Sequence, residues 1–584
     1  MPLPGTSRPR PDLLAGCGLP QAWAGAAQWR VLETGFGLGL NFLATWRAWK
    51  DDPQRPRMLH FASIEAWPVA ADDLRKVART EPELAPLALE LSSQWWGLVP
   101  GLHRLSFEGG RVLLTLCIGN LRDRLQELDF DADAVLLDGL DPQRSSVLWE
   151  LSTLKGVTRL CRPGTRLATP TDTEAMERQL GQFGFAVDDK AGGPPKRDCM
   201  RATFAPAWEV KRSPRTALAP SRAIVIGAGL AGAAVAASLA RRGWQVQVLD
   251  GGKEPATGAS GLPAGLVAPH TSPDDNLLSR LSRAGVRMTL QAARDRLQAG
   301  ADWEPSGVLE QRAADDREPL ELGPRGAEWQ HWRDREQRQL WHSAAAWIRP
   351  SALVRAWLAQ DGVAFVGGAH VDALTATPHG WRAMAADGRV LGEAPVVVLA
   401  AALGSAPLAD GLLDLHPVRG QVSWAPNAGH PLAPAPLNGN GHFLPAVPME
   451  GGSAWLSGST YVRGDVGLDE RPEEHGANLQ RLRELAPRIA DGLQDDFAKG
   501  RVRGWSGVRC ASTDRRPLAG RLENGLWCSV AMGSRGLTFA LLCAELLAAR
   551  LHAEPLPLPV RLSGALEPQR QRKSAGVRGP TAAS

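Results

Sequence analysis

The chain has 584 residues, 44% apolar and 22% charged, an ordinary globular balance in a length that exceeds a single core. Two to four domains are therefore expected. The net charge of +4 sits in segments 207–221 and 556–584, leaving the rest near neutral, so composition neither supports nor excludes an RNA partner. No apolar run reaches the ~20 residues that cross a bilayer. The Pro- and Arg-rich start Met1–Pro11 lacks the apolar stretch of a signal peptide. Seven scattered cysteines without a CxxC pair outline neither a zinc site nor a disulfide framework. The expectation is a cytoplasmic protein with no membrane partner and no metal.

In chain order, β-prone runs at Trp29–Glu33, Leu59–Glu65, Val112–Ile118, Ala134–Leu137 and Thr165–Ala168 alternate with helical patterns such as Leu40–Trp49 and Asp72–Arg79. That alternation predicts a parallel, doubly wound α/β sheet over residues 1–206. The first run opens on a glycine fingerprint, Val31-Leu-Glu33-Thr-Gly35-Phe-Gly37-Leu-Gly39-Leu-Asn41, a turn able to bring backbone N–H groups against a nucleotide-bearing ligand. Glu65 ends the next strand 26 residues after Gly39, where a carboxylate can hold ribose hydroxyls. Asp138 lies at a later strand's C-terminal end, the edge where open α/β sheets place their sites. A solvated loop carboxylate or a helix cap is the plainer alternative for both.

Segment 207–221, basic and twice broken by proline, reads as a linker. A second α/β pattern runs over 222–555. It opens with Gly227-x-Gly229-x-x-Gly232, a helix Ala233–Arg242 and a strand Gln245–Leu249 ending at Asp250, 23 residues after Gly227. Strand, turn, helix, strand and acid in this order predict a dinucleotide site. FAD is favoured over NAD by a second small-residue loop, Gly258-Ala-Ser260-Gly-Leu-Pro-Ala-Gly265. A third turn, Met532-Gly533-Ser534-Arg535-Gly536, precedes a helical Leu537–Leu551 whose N-terminus would face the flavin. Arg509 can clamp a substrate carboxylate bidentately, or can serve a structural ion pair. Residues 556–584 have no periodicity and read as a disordered basic tail.

On these residues, together with Ser63-Ile-Glu65, Leu137-Asp138-Gly139, Lys196-Arg197, Ser272–Asn276, Pro417–Gln421, Gly458–Tyr461, Gly507–Cys510 and Gly533–Thr538, the chain resembles the bacterial bifunctional tRNA 5-methylaminomethyl-2-thiouridine biosynthesis family. The resemblance covers nearly the whole chain. It implies a Rossmann-like class I methyltransferase domain followed by a FAD-binding Rossmann-type domain with an inserted α+β substrate domain. It implies S-adenosyl-L-methionine at Glu33, Gly35, Gly37, Gly39, Glu65 and Asn120, with Asp138 catalytic. For the second half it implies FAD at Gly227, Gly229, Gly232, Asp250, Ser260, Gly533, Ser534, Arg535 and Gly536, with Arg509 catalytic. The partner would be tRNA, the substrate its wobble uridine, and the protein a monomer.

Ala66, Asn120, Asp141 and Leu262 depart from the family's usual residues, as does the short stretch ahead of the first strand. They keep open an alternative, a FAD-dependent amine or amino-acid oxidase carrying a non-catalytic methyltransferase-like domain. Of the 21 tryptophans most read as core or surface filler. Lys196 and Arg197 are the cationic candidates for RNA contact, against an ordinary solvated pair.

Overall fold

The structure, a computed structural model, describes residues 11–138, 151–170, 173–188, 199–209, 215, 217–427 and 432–571. It divides into unit 1, residues 1–219 with 549–561, and unit 2, residues 220–548 with 562–584.

The alternation in the N-terminal half folds into an eight-stranded sheet of β1 (Gln28–Glu33), β2 (Met58–Glu65), β3 (Gly101–Phe107), β4 (Val112–Ile118), β5 (Ala132–Leu136), β6 (Cys161–Thr169), β7 (Phe185–Val187) and β8 (Met200–Phe204). Its order is β3-β4-β2-β1-β5-β6-β8-β7. Strands β4, β2, β1, β5 and β6 run parallel, while β3 and β8 pair antiparallel at the two sides. The order reverses at β1, between β2 and β5, which opens a crevice beyond the carboxyl ends of these strands. Helix Leu40–Asp51 turns Phe42, Trp46 and Trp49 inward at helical spacing. Phe42 and Trp46 meet Phe107 from the sheet at centroid distances of 5.7 and 4.6 Å.

The segment expected to be a disordered tail is packed over its described part. Residues 551–558 are buried, and Val560–Gly564 is helical. Within unit 1, Arg30 Nη1 donates to the Ala553 carbonyl (3.0 Å), Gln28 Nε2 to that of His552 (2.7 Å) and Arg104 Nη2 to that of Pro555 (2.6 Å). Glu554 approaches His60 Nε2 to 3.6 Å, both side chains 1% exposed. Leu556 and Leu558, which alternate with prolines 555, 557 and 559, are both buried. In the segment expected as linker, Arg215 pairs with Asp129 and Asp131.

Unit 2 carries two principal sheets. A six-stranded one runs Val363–Val366, Gln245–Leu249, Arg222–Ile226, Val396–Leu399, Trp527–Val530 and Leu518–Arg521, parallel except for the last strand. A nine-stranded, largely antiparallel sheet includes His416–Pro426, Gly441–Met449, Gly452–Gly458 and Arg503–Ala511. Helix Leu230–Arg241 lies almost wholly buried, and Arg242 and Arg241 pair with buried Glu545 of helix Gly536–His552. All seven cysteines are buried and unbridged. Among the described residues no helix is long and apolar enough to cross a membrane, and no cluster of three His, Cys, Asp or Glu could hold a metal.

Candidate functional sites

In unit 1, β1 ends at Glu33 and the chain turns through residues 34–39 into helix Leu40–Asp51, with Gly39 as N-cap. Gly37 has φ 54°, and a Cβ placed on it would meet nothing within 4 Å, so the turn presents bare backbone to the crevice. Phe36 anchors it, stacked on Trp95 at 5.1 Å. From the end of neighbouring β2, Glu65 accepts the Gly37 N–H (2.9 Å) and the Trp67 N–H (2.8 Å), so the predicted carboxylate does reach the turn. Trp67 beside it is 87% exposed.

Asp138 follows β5 on the other side of β1. Its Oδ2 accepts from Asn41 Nδ2 (2.8 Å), and its carbonyl accepts from Thr34 Oγ1 (3.0 Å). The same Asn41 amide donates to Glu33 Oε1 at 2.9 Å. Glu33, expected among the cofactor contacts, is fully buried beneath the turn. Burial raises its carboxyl well above the usual carboxylate range, against the opposing hydrogen bonds from Ser63 Oγ (2.6 Å) and Asn41. Glu33 thus fixes the asparagine that reaches Asp138. Within the fingerprint Asn41 carries no motif signal of its own beyond an amide on the buried face of the helix's first turn. Gly35 sits half-buried at the head of the turn, and exposed Asn120 caps helix Leu121–Glu127 by accepting the Arg122 N–H (3.0 Å). Gly139, Asp141, Lys196 and Arg197 lie outside the described residues.

In unit 2, Gly227, Gly229, Asp250, Ser260 and Gly533–Gly536 line a single cavity of about 1330 Å³. A Cβ on Gly232 would lie 1.8 Å from the Gly227 carbonyl oxygen, so helix and strand close on each other only through glycine. Asp250 accepts the Ala228 N–H (2.6 Å) and the Gly252 N–H (2.7 Å), while Ser260 Oγ accepts the Leu230 N–H (3.0 Å). Helix Gly536–His552 begins at the cavity wall.

Arg509, on strand Arg503–Ala511, lines the same cavity. Its Nη2 donates to Ser459 Oγ (2.5 Å), its Nη1 to the Thr460 carbonyl (3.3 Å), and it lies 6.0 Å from the Tyr461 ring centroid. Thr460 is itself pinned, its Oγ1 donating to buried Glu474 (2.6 Å), which pairs with fully buried Arg419. Burial lowers the Arg509 pKa, and no carboxylate among the described residues neutralises it. His270, His442, Glu310 and Arg312 also line the cavity. Glu310 accepts from Arg312 Nη1 (2.8 Å) and meets His342 Nε2 at 2.6 Å. Burial works to raise the Glu310 carboxyl, yet His342 and Arg312 outweigh it and hold it below the usual range. These four residues had no motif to mark them.

A cavity beyond the ~300–1,000 Å³ of ordinary small-molecule sites suits a dinucleotide together with a substrate arm. Residues 222–550 match the family described as FAD dependent oxidoreductase, and residues 82–205 the family described as S-adenosyl-L-methionine-dependent methyltransferase. Folds and sites together define a two-unit enzyme, a methyltransferase using S-adenosyl-L-methionine joined to an oxidoreductase using FAD. The chain is 51% identical over 598 residues to the tRNA 5-methylaminomethyl-2-thiouridine biosynthesis bifunctional protein MnmC of Polaromonas naphthalenivorans, covering 97% of this chain and 94% of that protein. It is 50% identical to the protein of the same name from Paracidovorax citrulli, covering 97% and 95%. The chain belongs to this bifunctional family. It is also similar to glycine oxidase from Geobacillus kaustophilus, at 19% identity and a TM-score of 0.47, over 58% of this chain and 97% of that one.

Proposed function

We propose that the protein completes a tRNA wobble uridine in two steps. Unit 2 oxidises the 5-carboxymethylaminomethyl arm of a 2-thiouridine to the 5-aminomethyl base, and unit 1 methylates that amine. The observation that carries the first step is Arg509, a cation in the cavity wall with no carboxylate partner among the described residues, matched to an arm that ends in a carboxylate. Gly227, Gly229, Asp250, Ser260 and Gly533–Gly536 would hold FAD, which supplies the acceptor for the hydride leaving the arm's glycine-like methylene. Loss of that hydride leaves a C=N bond; water adds to it, the C–N bond breaks, and a two-carbon oxoacid departs from the aminomethyl base.

In unit 1, Gly35, Gly37, Gly39 and Glu65 would hold S-adenosyl-L-methionine, the methyl donor. Asp138, oriented by Asn41 and Thr34, accepts a hydrogen bond from the amine and directs its lone pair at the methyl group. Such positioning counts for more than strong base catalysis. The two activities act on one tRNA in the cytoplasm, and the protein works as a monomer.

The test is incubation of the purified flavoprotein with tRNA bearing the carboxymethylaminomethyl base and labelled S-adenosyl-L-methionine, with nucleosides read by mass spectrometry. Conversion to the labelled methylaminomethyl base supports the reading, and unchanged tRNA refutes it. Arg509→Leu should cut the first step by about 10²-fold or more in kcat/KM while sparing methylation of aminomethyl tRNA.

A further inference from the structure

The run Pro417-Val-Arg-Gly-Gln421 holds one residue that the mechanism above leaves unused. Gly420 is buried inside strand His416–Pro426 and lines the cavity directly opposite Gly507 of strand Arg503–Ala511. Glycine weakens a strand interior, since it is costly to order and packs no side chain. Where it stands there, something commonly approaches the backbone closely. Conformation does not call for it, because Gly420 has none of the positive φ that holds Gly227 or Gly533 to glycine.

What approaches is Arg509. It stands opposite Val418, two residues before Gly420, and its long side chain crosses diagonally to the glycine. A Cβ on Gly420 would lie 2.3 Å from Nη1, 2.5 Å from Nη2 and 2.6 Å from Cζ. The guanidinium therefore fills the volume in which every other residue begins its side chain. From that seat Nη2 reaches Ser459 Oγ and Nη1 the Thr460 carbonyl. These bonds engage two N–H groups, and the remaining donors of the fork are left for a ligand in the cavity.

We propose that Gly420 is a positioning residue of the oxidoreductase site. By leaving its side-chain volume empty it seats the Arg509 guanidinium against the sheet, where Ser459 and Thr460 fix it and its free N–H groups meet the substrate's carboxylate. The assignment rests on the substrate reading above. It makes glycine at 420 a determinant of selectivity for arms that end in a carboxylate. A methyl group there meets the far end of a flexible side chain rather than backbone. It would spare the fold and turn the guanidinium out of its seat, away from Ser459 and Thr460.

Full-length, flavin-loaded protein tests it by anaerobic flavin reduction. The two substrates are tRNA bearing the carboxymethylaminomethyl base and an analogue whose arm ends in a carboxamide. The wild type should favour the carboxylate by about 10²-fold in the reductive half-reaction, the scale of a buried charge-assisted pair. Gly420→Ala should hold FAD normally yet lose about tenfold or more of that preference. Added to Arg509→Leu, the same substitution should change neither rate by more than about twofold, since two residues that act through one group are not additive. Gly420→Ala retaining the full preference would overturn the proposal. So would a large further loss in the Arg509→Leu background, which would show the glycine serving something other than Arg509. A Gly420→Ala protein unable to hold FAD overturns it equally, because the obstacle to the methyl group would then not be the yielding guanidinium. Wild-type protein reduced by neither arm, or by both alike, would instead sink the substrate reading, and Gly420's role with it.

Discussion

The two glycine turns differ most sharply at Gly232 and Gly37, although Gly39 of the first turn is also closed in, by the Phe36 ring. In unit 2 the turn is closed on itself: a side chain on Gly232 would collide with the Gly227 carbonyl, and one on Gly227 would lie 2.6 Å from the Ala400 oxygen. In unit 1 the space over Gly37 is empty, and only its φ of 54° argues for glycine. The second turn therefore needs its glycines in order to fold, whereas the space over Gly37 stays open. In both turns a carboxylate from the end of the next strand accepts two backbone N–H groups, Glu65 those of Gly37 and Trp67, Asp250 those of Ala228 and Gly252.

Gly232→Ala should give the largest effect, about 3 kcal/mol or more of destabilisation, because backbone rather than a flexible side chain blocks the new methyl group. Calorimetry and FAD content of the full-length protein would show it; a variant with native melting and full FAD would break the contrast. Asp250→Ala should follow, stripping two N–H groups of their acceptor at about 1–3 kcal/mol, read as weakened FAD retention. Gly37→Ala should cost only about 1 kcal/mol in folding, the strain of a left-handed residue. It should nevertheless weaken S-adenosyl-L-methionine binding in a calorimetric titration, since the new Cβ projects into the open space over the turn.

Glu33→Gln should have the smallest effect, and of opposite sign. Burial raises the Glu33 carboxyl, so the fold disfavours its ionised form. That penalty is absent below the ordinary carboxylate pKa and grows as pH climbs toward the raised folded value. The glutamine variant should therefore melt higher at neutral pH, by roughly 1 kcal/mol or less, with the gain shrinking toward about pH 4. A gain that does not shrink on acidification would mean that Glu33's charge is not its cost.

Much of this was legible in the chain because the signals are local. Strand, glycine turn and distant acid follow from backbone geometry that spacing records, and Glu65 and Asp250 both reach their turns. Element ends shifted only slightly: the helix read as Leu40–Trp49 runs to Asp51, and the strand read as Ala134–Leu137 spans Ala132–Leu136. Asn41 was not legible, because its role depends on which strands become neighbours. Edge strand β3 escaped as well, its Gly-Leu-His-Arg-Leu-Ser-Phe run lacking clean alternation. The run after residue 555 misled because proline and leucine in alternation look like linker until a groove exists to bury the leucines.

That last segment has a consequence for biosynthesis. The peptide that meets Gln28, Arg30, His60 and Arg104 follows the last of these by more than 440 residues. The contacts that complete unit 1 therefore form only after the chain has been made past residue 555. Unit 1 cut off at the linker would lose the carbonyls of residues 552, 553 and 555 that accept from Gln28, Arg30 and Arg104.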